Sequence, residues 1–361
     1  MSPVADLLDQ RRVVLVLGAG GVGKTTVAAS LALAAGRAGG RIAILTVDPS
    51  RSLASALGLG ADQNHATIDV GEGSLDVTVL DPASAWDQLV TRELGSATSL
   101  IDNAMYRAVT RNFVHAHDFI AIETLHQLIA AGHDLVIVDT PPSKRAIEFL
   151  MAPERLASFF ENRALGWFTG TAANPVISVG TRPLVAAANL VLGRGFVTSL
   201  AEFFGSVRPL ADPIVARAKS VDLLFREGDA AAVVVVTSTE PAAIEQCMSL
   251  GDELATRGVA WEATIVNRVR QQPPGDPPKQ TAIERDLTAV LAGDEGHGPA
   301  AFEGLARRAT EAWQRSAVAA QYDERAIAPL RDGPPLVIVG DRGPGDLHRA
   351  HLASIGDEIV A

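Results

Sequence analysis

Thiols are almost missing from this chain: Cys247 is the single cysteine among 361 residues. One thiol excludes a disulfide framework, a cysteine-only zinc site or an iron–sulfur cluster held within one subunit. It accords with a reducing compartment such as the cytoplasm. Positive charge is also short, with 31 Lys and Arg against 42 Asp and Glu and a formal net charge of −11. That balance argues against broad, charge-driven binding to DNA or RNA. Aromatic residues make up 5% of the chain and hydrophobic residues 47%, so the core has to be built mostly from Ala, Val and Leu. No apolar run reaches the roughly 18–20 residues that span a membrane; Arg182 and Arg194 interrupt the most apolar stretch. Met1–Arg12 is polar and charged and lacks a secretory signal pattern. These absences predict a soluble, cytoplasmic protein with no integral membrane segment and no nucleic-acid partner.

What the chain has in quantity is short apolar runs. Seven read as strands: Val13–Gly18, Arg41–Asp48, Leu75–Asp81, Asp134–Thr140, Ala231–Ser238, Trp261–Val269 and Pro335–Asp341. Several are continuous Val/Ile/Leu runs, the pattern of strands covered on both faces in a parallel sheet. Lys24–Arg37 is Ala/Leu-rich and reads as a helical crossover. Pro241–Arg257 opens with Pro at a first helical turn and stops before Gly258. Alternating strands and helices predict an α/β fold, a doubly wound and mostly parallel sheet. Two segments are too long for simple crossovers. About 82–132 and 152–228 read as several helices each, together a helical subdomain inserted into a single α/β domain spanning 1–361. Gln271–Lys279 is Pro-rich and reads as an exposed loop. No tandem repeat is visible, so the chain carries one copy of the α/β domain.

The residues from Gly18 to Thr26, GAGGVGKTT, match the phosphate-loop pattern G-x-x-x-x-G-K-[ST]. Gly18, Gly20, Gly21 and Gly23 allow backbone conformations that turn N–H groups toward phosphate oxygens, with no Cβ in the way. The helix that follows points its N-terminus at the same anion. Lys24 reaches the β- and γ-phosphates in this pattern, and the Thr25 hydroxyl ligates Mg²⁺. The context is the required one, a strand before and a helix after. Gly20, Gly21, Val22, Gly23, Lys24, Thr25 and Thr26 are therefore the expected nucleotide-binding residues. Two other strands end in acids: Asp48 in DPSRS and Asp139 in DTPPS. In open parallel sheets ligands bind beyond the carboxyl ends of strands, where an acid serves the Mg²⁺ shell or positions an attacking water.

Taken together, GAGGVGKTT at 18–26, DPSRSLASALG at 48–58, DTPPSKRAIEFL at 139–150, VVVVTSTEP at 233–241 and IVNR at 265–268 resemble the ArsA / Get-type ATPases, a deviant branch of the P-loop NTPases. The resemblance covers nearly the whole chain. It implies a Mg²⁺-dependent, ATP-hydrolysing switch protein that works as a dimer and couples nucleotide state to a hydrophobic or protein partner. It further implies that Asp48, with Ser52 in the same first switch, positions the hydrolytic water. Asp139 heads the second switch and stands in the Mg²⁺ shell with Thr25. Lys24 is catalytic with Asp48, and Asn267 reads adenine. Pro335–Arg342 is similar to the loop that closes over the base.

Departures from the family pattern are informative. The family's usual loop is GKGGVGK, whose first lysine reaches the partner's nucleotide across the dimer; Ala19 stands there in this chain. A methyl group supplies neither charge nor hydrogen bond. Arg51, Lys144 and Arg145 are candidate substitutes. The alternative is a low-activity regulatory subunit paired with a related chain that carries the lysine. Arsenite is a soft ligand held by several thiolates, so one cysteine disfavours arsenite pumping, and Cys247, in a predicted helix, reads as a buried structural thiol. His115, His117, Asp118, Glu123 and His126 are too poorly spaced on a helix for a metal cluster. Ala164–Ala201 is apolar apart from Arg182 and Arg194, and reads either as core and dimer contact or as a groove for a hydrophobic helix. A ParA/MinD-like positioning ATPase ranks lower, because His351–Ala361 has no Lys or Arg with which to bind a membrane.

Overall fold

A computed structural model describes residues 2–47, 52–60, 62–95, 101, 106–107, 114–161, 196–226, 229–276, 279, 281–283, 285–286, 299–343 and 348–361. Val13–Gly18 (β1) shows how the sheet is made. Every residue of this strand is buried. Val13, Leu15 and Leu17 enter a core on one face, Val14 and Val16 a core on the other. A continuous apolar run is what a strand needs when both faces are covered. Arg41–Thr46 (β2), Leu135–Asp139 (β5) and Ala231–Ser238 (β6) are built alike. Ser74–Val79 (β4), Trp261–Val269 (β7) and Leu336–Gly340 (β8) extend the sheet outward.

Among the described residues eight strands, His65–Asp69 (β3) included, lie in the order β3-β4-β2-β5-β1-β6-β7-β8. Among the described residues every neighbouring pair is parallel except β3 with β4. The doubly wound α/β expectation therefore holds. The extra strand is β3, His65–Asp69, which no apolar run announces. It is an antiparallel edge strand whose residues alternate between exposed and half-buried, so half-burial leaves it almost no hydrophobic signature. The chain runs outward from β1 in one direction through β2 and β4, and later in the other through β6, β7 and β8. The carboxyl end of β1 is thus the topological switch point, where such sheets bind ligands.

Helices cover both faces. On one, Pro3–Gln10 (α1), Lys24–Arg37 (α2), Ser52–Leu57 (α3) and Arg349–Val360 (α11) pack over Val14, Val16, Ile44 and Ile137. Backbones come close here. A methyl at Gly356 of α11 would run into the Ser30 carbonyl oxygen of α2, with the Ala34 Cβ 3.2 Å away. On the other face lie Pro82–Leu94 (α4), Val114–Ala130 (α5), Ser143–Leu150 (α6), Ala152–Glu161 (α7), Phe196–Arg226 (α8) and Pro241–Thr256 (α9). Their Leu89, Phe119, Ile122, Phe149, Leu156, Ile214 and Phe225 pack against Val13, Leu15 and Val138. Pro299–Ile327 (α10) runs to a 3₁₀ turn that leads into β8.

The second face also contains a buried carboxylate. Glu123 of α5 is 4% exposed and accepts from Arg92 Nη2 of α4 at 2.5 Å, Arg217 Nε of α8 at 2.7 Å and Gln127 Nε2 at 3.2 Å. Glu93 joins through Arg217 at 3.0 Å. Three helices are therefore tied at one point. At the β3–β4 edge, Asp76 accepts from Thr67 Oγ1 at 2.6 Å, and His133 Nε2 lies 2.6 Å from its other oxygen. Burial alone would raise this carboxyl, but the bonds from Thr67 and His133 outweigh it and hold the Asp76 pKa below the usual carboxylate value. The stretch Ala164–Ala201 lies outside the described residues as far as 195. Gln271–Lys279 carries neither helix nor strand where it is described, as the loop reading expects.

Candidate functional site

The phosphate loop lies at the switch point. At its start, Gly18 is obligatory for reasons of space: a methyl there would strike the Val236 carbonyl oxygen of β6. Gly21 and Gly23 have φ of +80° and +94°, left-handed backbone that glycine adopts without strain. Gly23 is also the N-cap of α2, and its missing side chain leaves the first-turn N–H groups of that helix uncapped by any side chain. Such N–H groups, with the helix dipole behind them, form an anion site. Nearly buried Lys24, 7% exposed, folds back over the loop and donates from Nζ to the Ala19 carbonyl oxygen at 2.8 Å.

Thr25 and Asp139 meet across the sheet. Thr25 Oγ1 donates to Asp139 Oδ2 at 2.8 Å, and Thr46 Oγ1, at the end of β2, donates to the same oxygen at 3.1 Å. Asp139, at the tip of β5, is fully buried. The neighbouring Thr140 Oγ1 donates to the Val16 carbonyl at 2.8 Å, which fastens the end of β5 to β1. The Thr25 hydroxyl, from the first turn of α2, and the Asp139 carboxylate, from the tip of β5, are hard oxygen donors, the set that suits Mg²⁺. Thr46 was not among the residues singled out from the sequence. A polar residue closing an otherwise apolar strand, two positions before Asp48, was its available signal.

The third component comes from β7. Asn267 is 4% exposed. Its Nδ2 donates to the Val22 carbonyl at 2.9 Å, and its Oδ1 accepts from the backbone N–H of Arg268 at 3.0 Å. Asn267 fills the space beside Gly23 where a Cβ would otherwise sit. The amide thus touches the phosphate loop itself. Just beyond, Arg270 grips Asp323 of α10 through its backbone N–H at 2.8 Å and Nε at 3.0 Å, with Nη2 on the second oxygen. Burial pushes the Asp323 carboxyl up, but the Arg270 bonds and the Thr239 hydroxyl outweigh it and hold it below its ordinary value.

Several sequence expectations fall elsewhere. Asp48 and Arg51 lie outside the described residues, as does the side chain of Lys144. Ser52 opens α3 with an exposed side chain. Arg145 lines a cavity of about 540 Å³ beside the loop, together with Gly20, Pro142, Gln246, Ser249 and Glu253. Ala19 is 7% exposed and belongs to the core on the α2 face. Cys247 is buried in α9, and burial pushes its thiol up to about 12. No cluster of three or more His, Cys, Asp or Glu fit to hold a metal occurs among the described residues; Glu123 is engaged by Arg92 and Arg217 instead. No described helix is long and apolar enough to cross a membrane.

Comparison with known proteins agrees with this geometry. The model of the anion-transporting ATPase family matches residues 11–286. A protein of uncharacterized function from Streptomyces coelicolor is 29% identical over 93% of this chain and 74% of its own length. ATPase GET3 of Paracoccidioides lutzii is 24% identical over 73% of this chain and 75% of its own, and ATPase get3 of Neurospora crassa is 24% identical over 80% and 82%. The family match takes in the phosphate loop, Asp139 and Asn267 together, on a mostly parallel sheet with helices on both sides. This chain belongs to the anion-transporting (ArsA-type) ATPase family.

Proposed function

We propose that the chain is a Mg²⁺-dependent ATPase that works as a dimeric, cytoplasmic switch and couples ATP binding and hydrolysis to a hydrophobic or protein partner. The observation that carries this reading is the meeting of Thr25 and Asp139, 2.8 Å apart, at the mouth of a glycine loop that opens a helix. The loop N–H groups from Gly20 to Thr26 bind the phosphates. Lys24 exchanges its bond to Ala19 for the β- and γ-phosphate oxygens. Thr25 and Asp139 would hold the Mg²⁺, which when bound would supply charge neutralisation on the phosphates. Asp48, just past the end of β2, orients water for in-line attack on the γ-phosphorus. Asn267 favours adenine. Helices α4, α5, α7 and α8, with the stretch between α7 and α8, act as a subdomain that moves with nucleotide state. The apolar segment 164–201 supports a hydrophobic client; the single buried thiol argues against arsenite as cargo.

A specific observation favours a second reading. Ala19 occupies the place of the family's trans lysine and is packed into the core. Its methyl cannot reach a partner's phosphate, so the chain would serve as a regulatory subunit paired with a related, lysine-bearing chain. One experiment separates the two. The purified chain alone should hydrolyse ATP with Mg²⁺ and lose that turnover on Asp48→Asn. Absence of turnover alone, with its appearance on adding a related chain, favours the second reading. A pull-down with an exposed apolar helix tests the client: recovery should differ between the ADP and ATP states.

A further inference from the structure

Two consecutive residues at the end of β7 hold two consecutive carbonyls of the phosphate loop. Asn267 Nδ2 donates to Val22 O at 2.9 Å, and Arg268 Nη1 reaches Gly21 O at 3.4 Å. The backbone is bent to make this possible. Arg268 has a φ of +60°, the one non-glycine residue with positive φ among those described. Such a conformation is uncommon for a side-chain-bearing residue and persists where its surroundings enforce it. Three surrounding features do so here. Asn267 Oδ1 accepts the Arg268 N–H at 3.0 Å and closes the turn. The pairing of β7 with β8 slips between Val266 and Val269, which frees these residues from the ladder. Arg270, two residues on, is locked to Asp323.

A peptide's C=O and N–H point in opposite directions, because the unit is planar and trans. Fixing the Gly21 and Val22 carbonyls against β7 therefore aims the N–H groups of Val22 and Gly23, the next residues of each peptide, toward the phosphate side. We infer that Asn267 and Arg268 form a clamp that presets the phosphate loop for anion binding, as positioning residues that act through the loop, in addition to the part Asn267 plays toward the base. This deepens the reading of the same site and rests on it. The clamp's contribution is to affinity for the phosphate chain, since a loop ordered beforehand does not have to be ordered by its ligand.

Inorganic tripolyphosphate, which has no base, isolates this effect. The test compares wild type with Arg268→Gly, which keeps a residue at ease at positive φ but removes the guanidinium, and with Asn267→Leu, of similar size and without donor or acceptor. Arg268→Lys serves as the conservative rescue. Binding of ATP and of tripolyphosphate is measured by calorimetry with Mg²⁺, together with amide exchange at residues 19–23 in the absence of any ligand. Arg268→Gly should weaken both ligands by the same factor, about fivefold, the size of one hydrogen bond. Asn267→Leu should weaken both by at least about tenfold, and Arg268→Lys should restore part of the loss. In both damaged variants amide exchange should quicken at 19–23 while the unliganded melting temperature of Arg268→Gly stays unchanged. Tripolyphosphate binding unchanged in Arg268→Gly, or a loss confined to ATP, would overturn the clamp. Should Asn267→Leu not fold, Arg268→Gly decides alone. A wild type that binds neither ligand refutes the nucleotide site, and the exchange comparison then still tests the clamp.

Discussion

The two faces of the sheet are packed by different means. On the α2 face, backbones approach until there is room only for glycine, as where Gly356 of α11 meets Ser30 of α2. On the other face, larger apolar side chains separate the helices, and a buried carboxylate, Glu123, ties three of them together. Close backbone contact leaves one spacing available. A buried ion network fixes which groups meet, but most of its Coulomb energy is offset by desolvation. The phosphate loop is continuous with α2 on the first face. Asp139, which faces the loop, continues into α6 on the second. The sheet thus mounts its anion cradle on the stiffer side and carries the strand tip that answers it toward the more polar one.

Four measurements would break or sharpen this contrast. The largest effect is expected at the cradle. Lys24→Ala should lower ATP turnover by at least about a hundredfold, the scale for losing a preorganised charge at a developing anion, with little change in melting temperature; steady-state kinetics beside calorimetry checks both. Next is the ion network. Glu123→Ala takes the buried carboxylate from Arg217 and should cost about 3 kcal/mol, reduced somewhat because Arg92 is 42% exposed and both arginines keep Glu93. Replacing the four charged groups together, as Arg92→Met, Glu93→Gln, Glu123→Leu and Arg217→Met, should return stability to near wild type in urea denaturation. If the quadruple variant is as unstable as Glu123→Ala, the network contributes stability outright and the contrast between the faces fails.

Third, Gly356→Ala should cost about 2 kcal/mol, the scale of overpacking a tight core contact. A methyl accommodated without loss would show that the first face yields as readily as the second. The smallest effect concerns pH. Asp76 is depressed in the folded state and returns to the ordinary carboxylate value on unfolding. Its contribution is therefore complete above that ordinary value, near pH 4, and is lost as pH falls through the lower, folded value. Asp76→Asn should remove that part of the acid slope. Stability curves of the two proteins should converge toward low pH.

What the sequence revealed, and what it hid, follows from where the physics is local. Strands β1 and β6 appear with their full bounds because burial on both faces demands nearly unbroken apolar runs; β7 appears with its bounds too, although Glu262, Asn267 and Arg268 interrupt it. The helix Lys24–Arg37 is equally plain, opened by Gly23 and filled with alanine and leucine. Strand β3 was hidden because its residues are half exposed at an edge and owe their conformation to β4. In the site, Gly20–Thr26 could be singled out from spacing, and Asp139 from its place at a strand end together with the family resemblance. Their meeting through Thr25 and Thr46 could not, since it depends on which strands become neighbours. Arg268 was invisible for the same reason: nothing in IVNR indicates that its backbone turns left-handed and its guanidinium reaches a loop 247 positions earlier.

The burial of Cys247 has a practical side. Its sulfur is shut inside α9 and keeps its proton well above neutral pH, so maleimide reagents should pass over the folded chain. The natural protein is therefore a silent background for labelling. A cysteine introduced at exposed Leu223 on α8 would carry a single dye, and its emission would report on the second face as nucleotide is exchanged, with no need to remove the native thiol first.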